Sequence, residues 1–299
     1  MSPIIAYAEE FLAQSGKVSD KWSSYLSAYD FWLSSLRDQP VRILEIGVQN
    51  GGHLEVLSRY FKNAEIIVGC DINTACVRLK YQDPRINVVI GDANKDSTCN
   101  LITALSADFD IIIDDGSHTQ LDIIASYARY FPRLKLGGIY IAEDLHTSYW
   151  RGLGGGLFDP LSSLGFFRKL VDLINIEHWG NNLSVRNFLG AYERKYRVTL
   201  PLESFSQIHS VVFQNSICII LKKAAEENRL GPRIVTGTEA LVDSSILSLA
   251  GSPIENSDEL ANPLSRIQAS PEFLLRRTFL LEKIKNSKIG RFLRAAPRN

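Results

Sequence analysis

Apolar residues recur at helical spacing through the first 39 positions, in Ile4 to Leu12 and again, with aromatics, in Trp22 to Leu36. Pro40 closes that pattern. From Val41 the period changes. Short apolar runs now alternate with amphipathic stretches. Val41 to Ile46, Ala64 to Cys70, Ile86 to Ile90, Phe109 to Asp114 and Gly138 to Ala142 read as strands. Between them His53 to Phe61, Asn73 to Tyr81, Ser97 to Leu105 and Gln120 to Phe131 read as helices. The strand runs are nearly all apolar rather than alternating, the mark of strands covered on both faces. The β-α-β-α rhythm predicts an α/β fold, a doubly wound and mostly parallel sheet with helices on both sides.

The rhythm breaks after Asp144. Tyr149 to Pro160 is aromatic and glycine-rich, a loop by composition. Leu164 to Ile176 is amphipathic and predicts a helix. Ile208 to Phe213 and Ile217 to Leu221 flank Gln214-Asn215-Ser216 and predict a hairpin, which gives the sheet one antiparallel strand. Residues 224–263 are rich in Gly, Ser, Pro, Asn and Glu, with one apolar patch at Ile246 to Ala250, and read as a linker. Helical spacing returns in 271–294 through Phe273, Leu274, Phe279, Ile284, Ile289 and Phe292. The expected division is an N-terminal helical layer (1–39), a sheet domain (40–223) and a linker with a C-terminal helical extension (224–299). There is no internal repeat.

Composition adds little to this frame. The chain has 299 residues, 45% hydrophobic and 22% charged, which is ordinary for a globular protein. The formal net charge is zero, so nothing global points to nucleic acid. Basic residues gather at the end, with Arg276, Arg277, Lys283, Lys285, Lys288, Arg291 and Arg294 along an apolar stripe. Such a stripe suits an anionic membrane surface, the acidic body of the protein or a second subunit. Cys70, Cys76, Cys99 and Cys218 form no CxxC pair and match no zinc spacing; Cys70 and Cys218 sit in apolar runs as core residues. No run reaches the ~20 apolar residues that span a bilayer. Glu9-Glu10 stands where an export signal requires positive charge. A cytoplasmic setting is expected, with the tail as the one candidate for peripheral docking at the inner face.

Two strands end in acid. Ile-Ile-Ile leads into Asp114-Asp115-Gly-Ser-His118, and Ile-Tyr-Ile-Ala leads into Glu143-Asp144. Carboxylates at neighbouring strand ends repel unless positive charge lies between them, and His118 follows closely. A divalent cation in an active site is the natural candidate. Oxygen ligands without cysteine favour Mg²⁺, Mn²⁺ or Ca²⁺ over zinc. Alternation along the strand points Asp114 away from Asp115, and a structural role for Asp114 stands beside a functional one.

The opposite part of the sheet edge has a different character. Leu-Glu45-Ile-Gly47-Val-Gln-Asn-Gly51-Gly closes the first strand and opens a helix, where glycines let backbone approach a ligand. The spacing is not the GxGxxG dinucleotide fingerprint. The second strand ends at Asp71, suited to ribose hydroxyls, and the third at Gly91-Asp92, within reach of an adenine amino group. Either Asp alone is more often a turn or helix cap. In this order the pieces resemble a class I S-adenosylmethionine-dependent methyltransferase with a Rossmann-like fold. The resemblance implies that Glu45 and Gly47 line the methionine side, that Asp71 holds the ribose and that Asp92 sits near the adenine; Gly51 and Asp114 are counted with them as cofactor-binding.

From about Val41 to Lys222 the chain further resembles the metal-dependent sugar O-methyltransferases of macrolide and rhamnosyl natural products, and the related proteins labelled cephalosporin hydroxylase. The Asp-Asp-Gly-Ser-His and Glu-Asp elements carry this narrower resemblance. It implies Mg²⁺ bound by Asp115, Glu143 and Asp144, with His118 as general base. His146, Tyr149 and Trp150 then become candidates for acceptor contact, Tyr149 and Trp150 as sugar-stacking aromatics. The expected reaction is transfer of methyl from S-adenosylmethionine to a hydroxyl of a sugar or glycoside. Two rivals differ in class. One is a hydroxylase or oxidoreductase on the same fold, which lacks a 2-His-1-carboxylate pattern here. The other is a non-catalytic scaffold in glycan assembly. A homo-oligomer is a further expectation, independent of that choice.

Overall fold

A computed structural model describes residues 6–179, 184–253 and Lys283. The basic stripe at 271–294 and the first residues of the chain lie outside that set, Lys283 excepted. Five parallel strands form the body of the sheet: β1 (Arg42–Ile46), β2 (Ile66–Asp71), β3 (Ile86–Ile90), β4 (Phe109–Asp114) and β5 (Leu134–Ala142). The expected hairpin closes one side as β6 (Ile208–Gln214) and β7 (Ile217–Lys222). The order is β3-β2-β1-β4-β5-β7-β6, with β7 antiparallel to both of its neighbours. The order reverses between β1 and β4, and in doubly wound sheets ligands bind at the carboxyl ends beside such a switch.

Strand parity divides the core in two. Ile43, Ile67, Ile111, Ile113, Ile139, Ile141, Ile217 and Ile219 face one way. They are covered by α1 (Ala6–Leu12), α2 (Ser23–Leu33) and α3 (Gly52–Tyr60), through Tyr7, Tyr25, Tyr29, Leu33, Leu54 and Leu57. Leu44, Val68, Ile112, Tyr140, Cys218 and Ile220 face the other way. There they meet α4 (Asp96–Leu105), α5 (Gln120–Tyr130), α6 (Ser163–Ile174) and α7 (Val185–Tyr196). The N-terminal helices thus pack directly on the sheet. All four cysteines are free and buried.

Three departures from the sequence pattern have local causes. Asn73 to Tyr81 makes only a 3₁₀ turn, Thr74–Arg78. Asp71 accepts from the Asn73 amide and Asn73 accepts from the Ala75 amide, local bonds that compete with a helix. β5 begins at Leu134 because a register shift against β4, with Gly137 at φ 84°, lets the strand run on past the glycines. The periodicity above assigns nothing to α7, although Val185, Phe188, Leu189 and Tyr192 lie at helical spacing behind a Ser184 cap. Among the described residues no helix is long and apolar enough to cross a membrane.

Candidate active site

The carboxyl ends of β1 to β5 open on a cavity of about 520 Å³. Four of the five strand ends, those of β1, β3, β4 and β5, are carried past their last residue by one more ladder bond: Gly47 N–H to Cys70 O, Gly91 N–H to Asp71 O, Asp115 N–H to Ile46 O, and Glu143 N–H to Asp114 O. These bonds fix the height at which every side chain leaves the sheet. Three non-glycine residues lining the cavity, Gln49, His118 and Asp144, adopt left-handed backbone with φ of 50°, 56° and 55°. Strained backbone of this kind collects at functional sites.

The cofactor-type edge lies over β1, β2 and β3. Glu45 is buried on the face of the N-terminal helices. His53 on α3 donates from Nδ1 to Glu45 Oε1, which leaves Nε2 to accept from the Tyr7 hydroxyl. Glu45 Oε2 is buried and has no hydrogen-bond partner among the described residues. An orphaned carboxylate oxygen in a cavity wall invites a donor from a ligand. Gly47 has φ 95°, and a Cβ there would lie 1.9 Å from the carbonyl oxygen of Asp115. Only glycine lets the turn after β1 pass that close to the turn after β4. Asp71 clamps the same turn, its Oδ2 accepting from the amides of Val48 and Gln49 at 2.8 Å. Asp92 accepts from the Asn94 amide at 2.9 Å and lines the cavity with Ala93 and Asn94. Gly51 does not line it; this glycine lies beneath the Tyr81 hydroxyl, 2.1 Å from where a Cβ would stand.

The chemistry-type edge lies over β4 and β5, and parity sorts its acids. Asp114 points to the α5 side, where the Tyr140 hydroxyl donates to Oδ2 at 3.3 Å. Burial pushes its carboxyl up to about 8, with the Asp115 charge adding to the rise against the Tyr140 bond. Asp115, Glu143 and Asp144 gather with the N-terminal helices. His118 Nε2 is 3.7 Å from Asp115 Oδ1 and 3.5 Å from Asp144 Oδ2. One ligand atom from each of Asp115, His118 and Asp144 lies within 4.8 Å of the others, a grouping that could hold a metal ion and in which the two carboxylates are the hard oxygen donors. The Thr147 hydroxyl ties this corner together, bonded to the carbonyls of both His118 and Asp144.

Glu143 sits deeper, with the Tyr29 hydroxyl and Lys21 on its Oε1. The positive charge between the two acidic strand ends is therefore an ammonium. Lys21 Nζ is 2.5 Å from Asp115 Oδ2, 2.9 Å from Glu143 Oε1 and 3.9 Å from Glu45 Oε1. Burial alone would lower its pKa; the three carboxylates outweigh burial and raise it, so Lys21 stays charged. One ammonium does not neutralise this many acids. Burial, with the Asp115 charge, pushes Glu143 up to about 8 against the pull of Lys21 and the Tyr29 bond.

Sequence reasoning misses the whole contribution of the N-terminal layer. Asp144 Oδ1 accepts from the Trp22 indole at 3.0 Å and from the Tyr25 hydroxyl at 2.9 Å. Lys21, Trp22, Tyr25 and Tyr29 read only as part of a helical pattern and the polar gap before it. No spacing rule ties them to motifs about a hundred residues later.

A second cavity, about 410 Å³, opens on the other side of Asp144. His146 and Tyr149 line it with Arg168 and the hairpin tip from Phe213 to Ser216. His146 Nδ1 bonds to Ser216 Oγ at 2.5 Å and lies 4.0 Å from Asp144 Oδ1. Trp150 lines neither cavity; it is half exposed and meets the His146 ring edge-on at 4.8 Å.

Comparison with known proteins agrees with this geometry. Residues 25–143 match the family described as FtsJ-like methyltransferase. The chain is 35% identical over 164 residues to an 8-demethyl-8-alpha-L-rhamnosyl tetracenomycin-C 2'-O-methyltransferase of Streptomyces olivaceus. It is 36% identical over 169 residues to a demethylmacrocin O-methyltransferase of Streptomyces fradiae. Each match takes in 52% of this chain and 42% of the relative, so the chain spans less than half the length of these curated relatives. Among solved structures it is similar to the MycE methyltransferase from the mycinamycin biosynthetic pathway, in complex with Mg, SAH and mycinamycin VI. That match has a TM-score of 0.56 and 26% identity over 75% of this chain and 56% of that one. The resemblance to sugar O-methyltransferases carried by the motifs is thus met in sequence and in fold.

Proposed function

We propose that the protein is a divalent-metal-dependent O-methyltransferase that moves a methyl group from S-adenosylmethionine to a hydroxyl of a sugar or glycoside. The observation that carries this reading is the juxtaposition of Asp115, His118 and Asp144 in the cavity that also reaches Glu45, Asp71 and Asp92. MycE, solved with Mg and SAH, supports the pairing of cofactor and metal, and the rhamnosyl and macrolide relatives support a sugar acceptor.

In this reading the cofactor lies over β1 to β3. Glu45 Oε2 accepts from its cationic end, Asp71 from the ribose hydroxyls, and the Gly47 turn admits it close to backbone. Asp114, on the far face of β4, closes the pocket wall. Asp115 and Asp144 would hold the cation, with Glu143 as the third carboxylate assigned to it; a bound divalent cation would orient an acceptor hydroxyl and lower its pKa. His118 Nε2 accepts the hydroxyl proton as the oxygen attacks the sulfonium methyl and the carbon–sulfur bond breaks. The products are the methyl ether and the neutral thioether cofactor, with the proton left on His118. His146 and Tyr149 place the remainder of the acceptor in the second cavity, with Trp150 packed against the His146 ring.

The test is methyl transfer from labelled S-adenosylmethionine to a panel of rhamnosides and other glycosides with Mg²⁺. Transfer to hydroxyl, lost with chelator and restored by Mg²⁺, is the expected result. Chelator-insensitive transfer would remove the metal from the reading, and cofactor retention as a nicotinamide nucleotide would replace it with the oxidoreductase alternative.

A further inference from the structure

Lys21 is the ammonium that the N-terminal layer sends into the acidic centre, beside the neutral donors Trp22, Tyr25 and Tyr29. It arrives on a short strap. The stretch between α1 and α2 is held at one end by Glu55, which binds the amide and ammonium of Lys17, and by the Gly52 amide bonded to Val18 O. It is held at the other end by Trp22 on Asp144. Between these anchors lie Ser19, Asp20 and Lys21, all lining the large cavity. The Ser19 hydroxyl is buried without a hydrogen-bond partner among the described residues. Backbone on both sides is fixed, while this three-residue stretch is tied to the body chiefly through the Lys21 ammonium.

The ammonium and a divalent ion compete for one place. Asp115 divides its oxygens, Oδ2 to Lys21 and Oδ1 toward His118. A cation shared by Asp115 and Glu143 would need both oxygens at ~2.1 Å, in the space now filled by Nζ. A cation on Asp115 Oδ1 alone would stand a carboxylate's width from the ammonium, where like charges repel. We propose that Lys21 is the exchangeable internal cation of this site: it and a divalent ion hold Asp115 and Glu143 in turn, and metal entry withdraws Lys21 with the Ser19–Lys21 stretch. Exchange frees Glu143 to join Asp115 and Asp144 around the metal. It also couples metal loading to opening of the strap over the cofactor cavity.

This inference rests on the metal-dependent reading, and its test keeps the two apart. Chelator-treated wild-type protein is titrated with MgCl₂ by calorimetry, and limited trypsin digestion is followed by mass spectrometry over the same range. Trypsin needs an accessible lysine side chain, so cleavage after Lys21 reports its withdrawal directly. Mg²⁺ uptake with cleavage after Lys21 rising several-fold, while cleavage at other sites stays level, is the expected result. Mg²⁺ uptake with Lys21 still protected overturns the exchange alone. Absence of Mg²⁺ uptake overturns the metal reading and the exchange with it. Lys21→Met supplies a second measurement: removing the competitor should tighten Mg²⁺ binding about tenfold, and unchanged or weaker binding by the folded variant counts against exchange.

Discussion

His118 Nε2 lies 3.5 Å from Asp144 Oδ2, and both residues hold left-handed backbone. Two strained positions from different loops are thus spent on bringing one imidazole to one carboxylate. The same imidazole is 3.7 Å from Asp115, and on this geometry rests the proposal that it serves as the base. A general base typically contributes ~10² to 10⁴ in rate. His118→Ala should therefore lose turnover on that scale while S-adenosylmethionine binding, followed by calorimetry, stays within about twofold. Normal turnover in that variant would show that another group takes the proton. A parallel collapse of Mg²⁺ binding would make His118 a ligand instead.

Glu45 offers a sharper test of the cofactor edge. Its Oε1 is occupied by His53, whereas the buried Oε2 is unmatched. A charged carboxylate accepting from a cationic ligand group contributes ~1.5–3 kcal/mol. Glu45→Gln keeps the shape and an oxygen for His53 but gives up the charge. Binding of S-adenosylmethionine should weaken about 10- to 100-fold. Unchanged affinity in a variant with a wild-type melting profile would place the cofactor's cationic end elsewhere.

The fold and half of this site are legible in the sequence for one physical reason. Apolar runs that end in acid mark both a buried parallel strand and its functional end, so β1 to β5, Glu45, Asp71, Asp115 and Glu143 come from the same signal. Parity then separates Asp114 from Asp115 without a structure, and Tyr140 meets Asp114 on the opposite face as that parity requires. Lys21 is not legible. Its role depends on where a loop between two helices crosses the sheet edge, and loops carry no period. The sequence calls for positive charge between the acidic strand ends and offers a metal; the described structure supplies an ammonium as well. Gly51 stands in the same ligand-type turn, and in the fold it lies under the Tyr81 hydroxyl.

The pH dependence of stability follows from the two raised acids. Burial is the main cause for Asp114 and for Glu143, each pushed up to about 8. In the unfolded chain both titrate near 4. Between those values the folded state holds protons that the unfolded state has released, so stability falls as pH rises. The favourable contribution is complete below about pH 4 and is lost through pH 8. Urea midpoints of chelator-treated protein should accordingly decline from pH 6 to pH 9. Asp114→Asn cannot ionise, and its amide oxygen remains available to the Tyr140 hydroxyl. Its midpoint should decline less steeply over that range, with the residual slope belonging to Glu143. The gap between the two curves should widen with pH, because only the wild type must bury a second negative charge beside Asp115. Parallel curves would mean that Asp114 ionises in the fold at no more cost than in water, and that its place against Tyr140 is wetter than its burial implies.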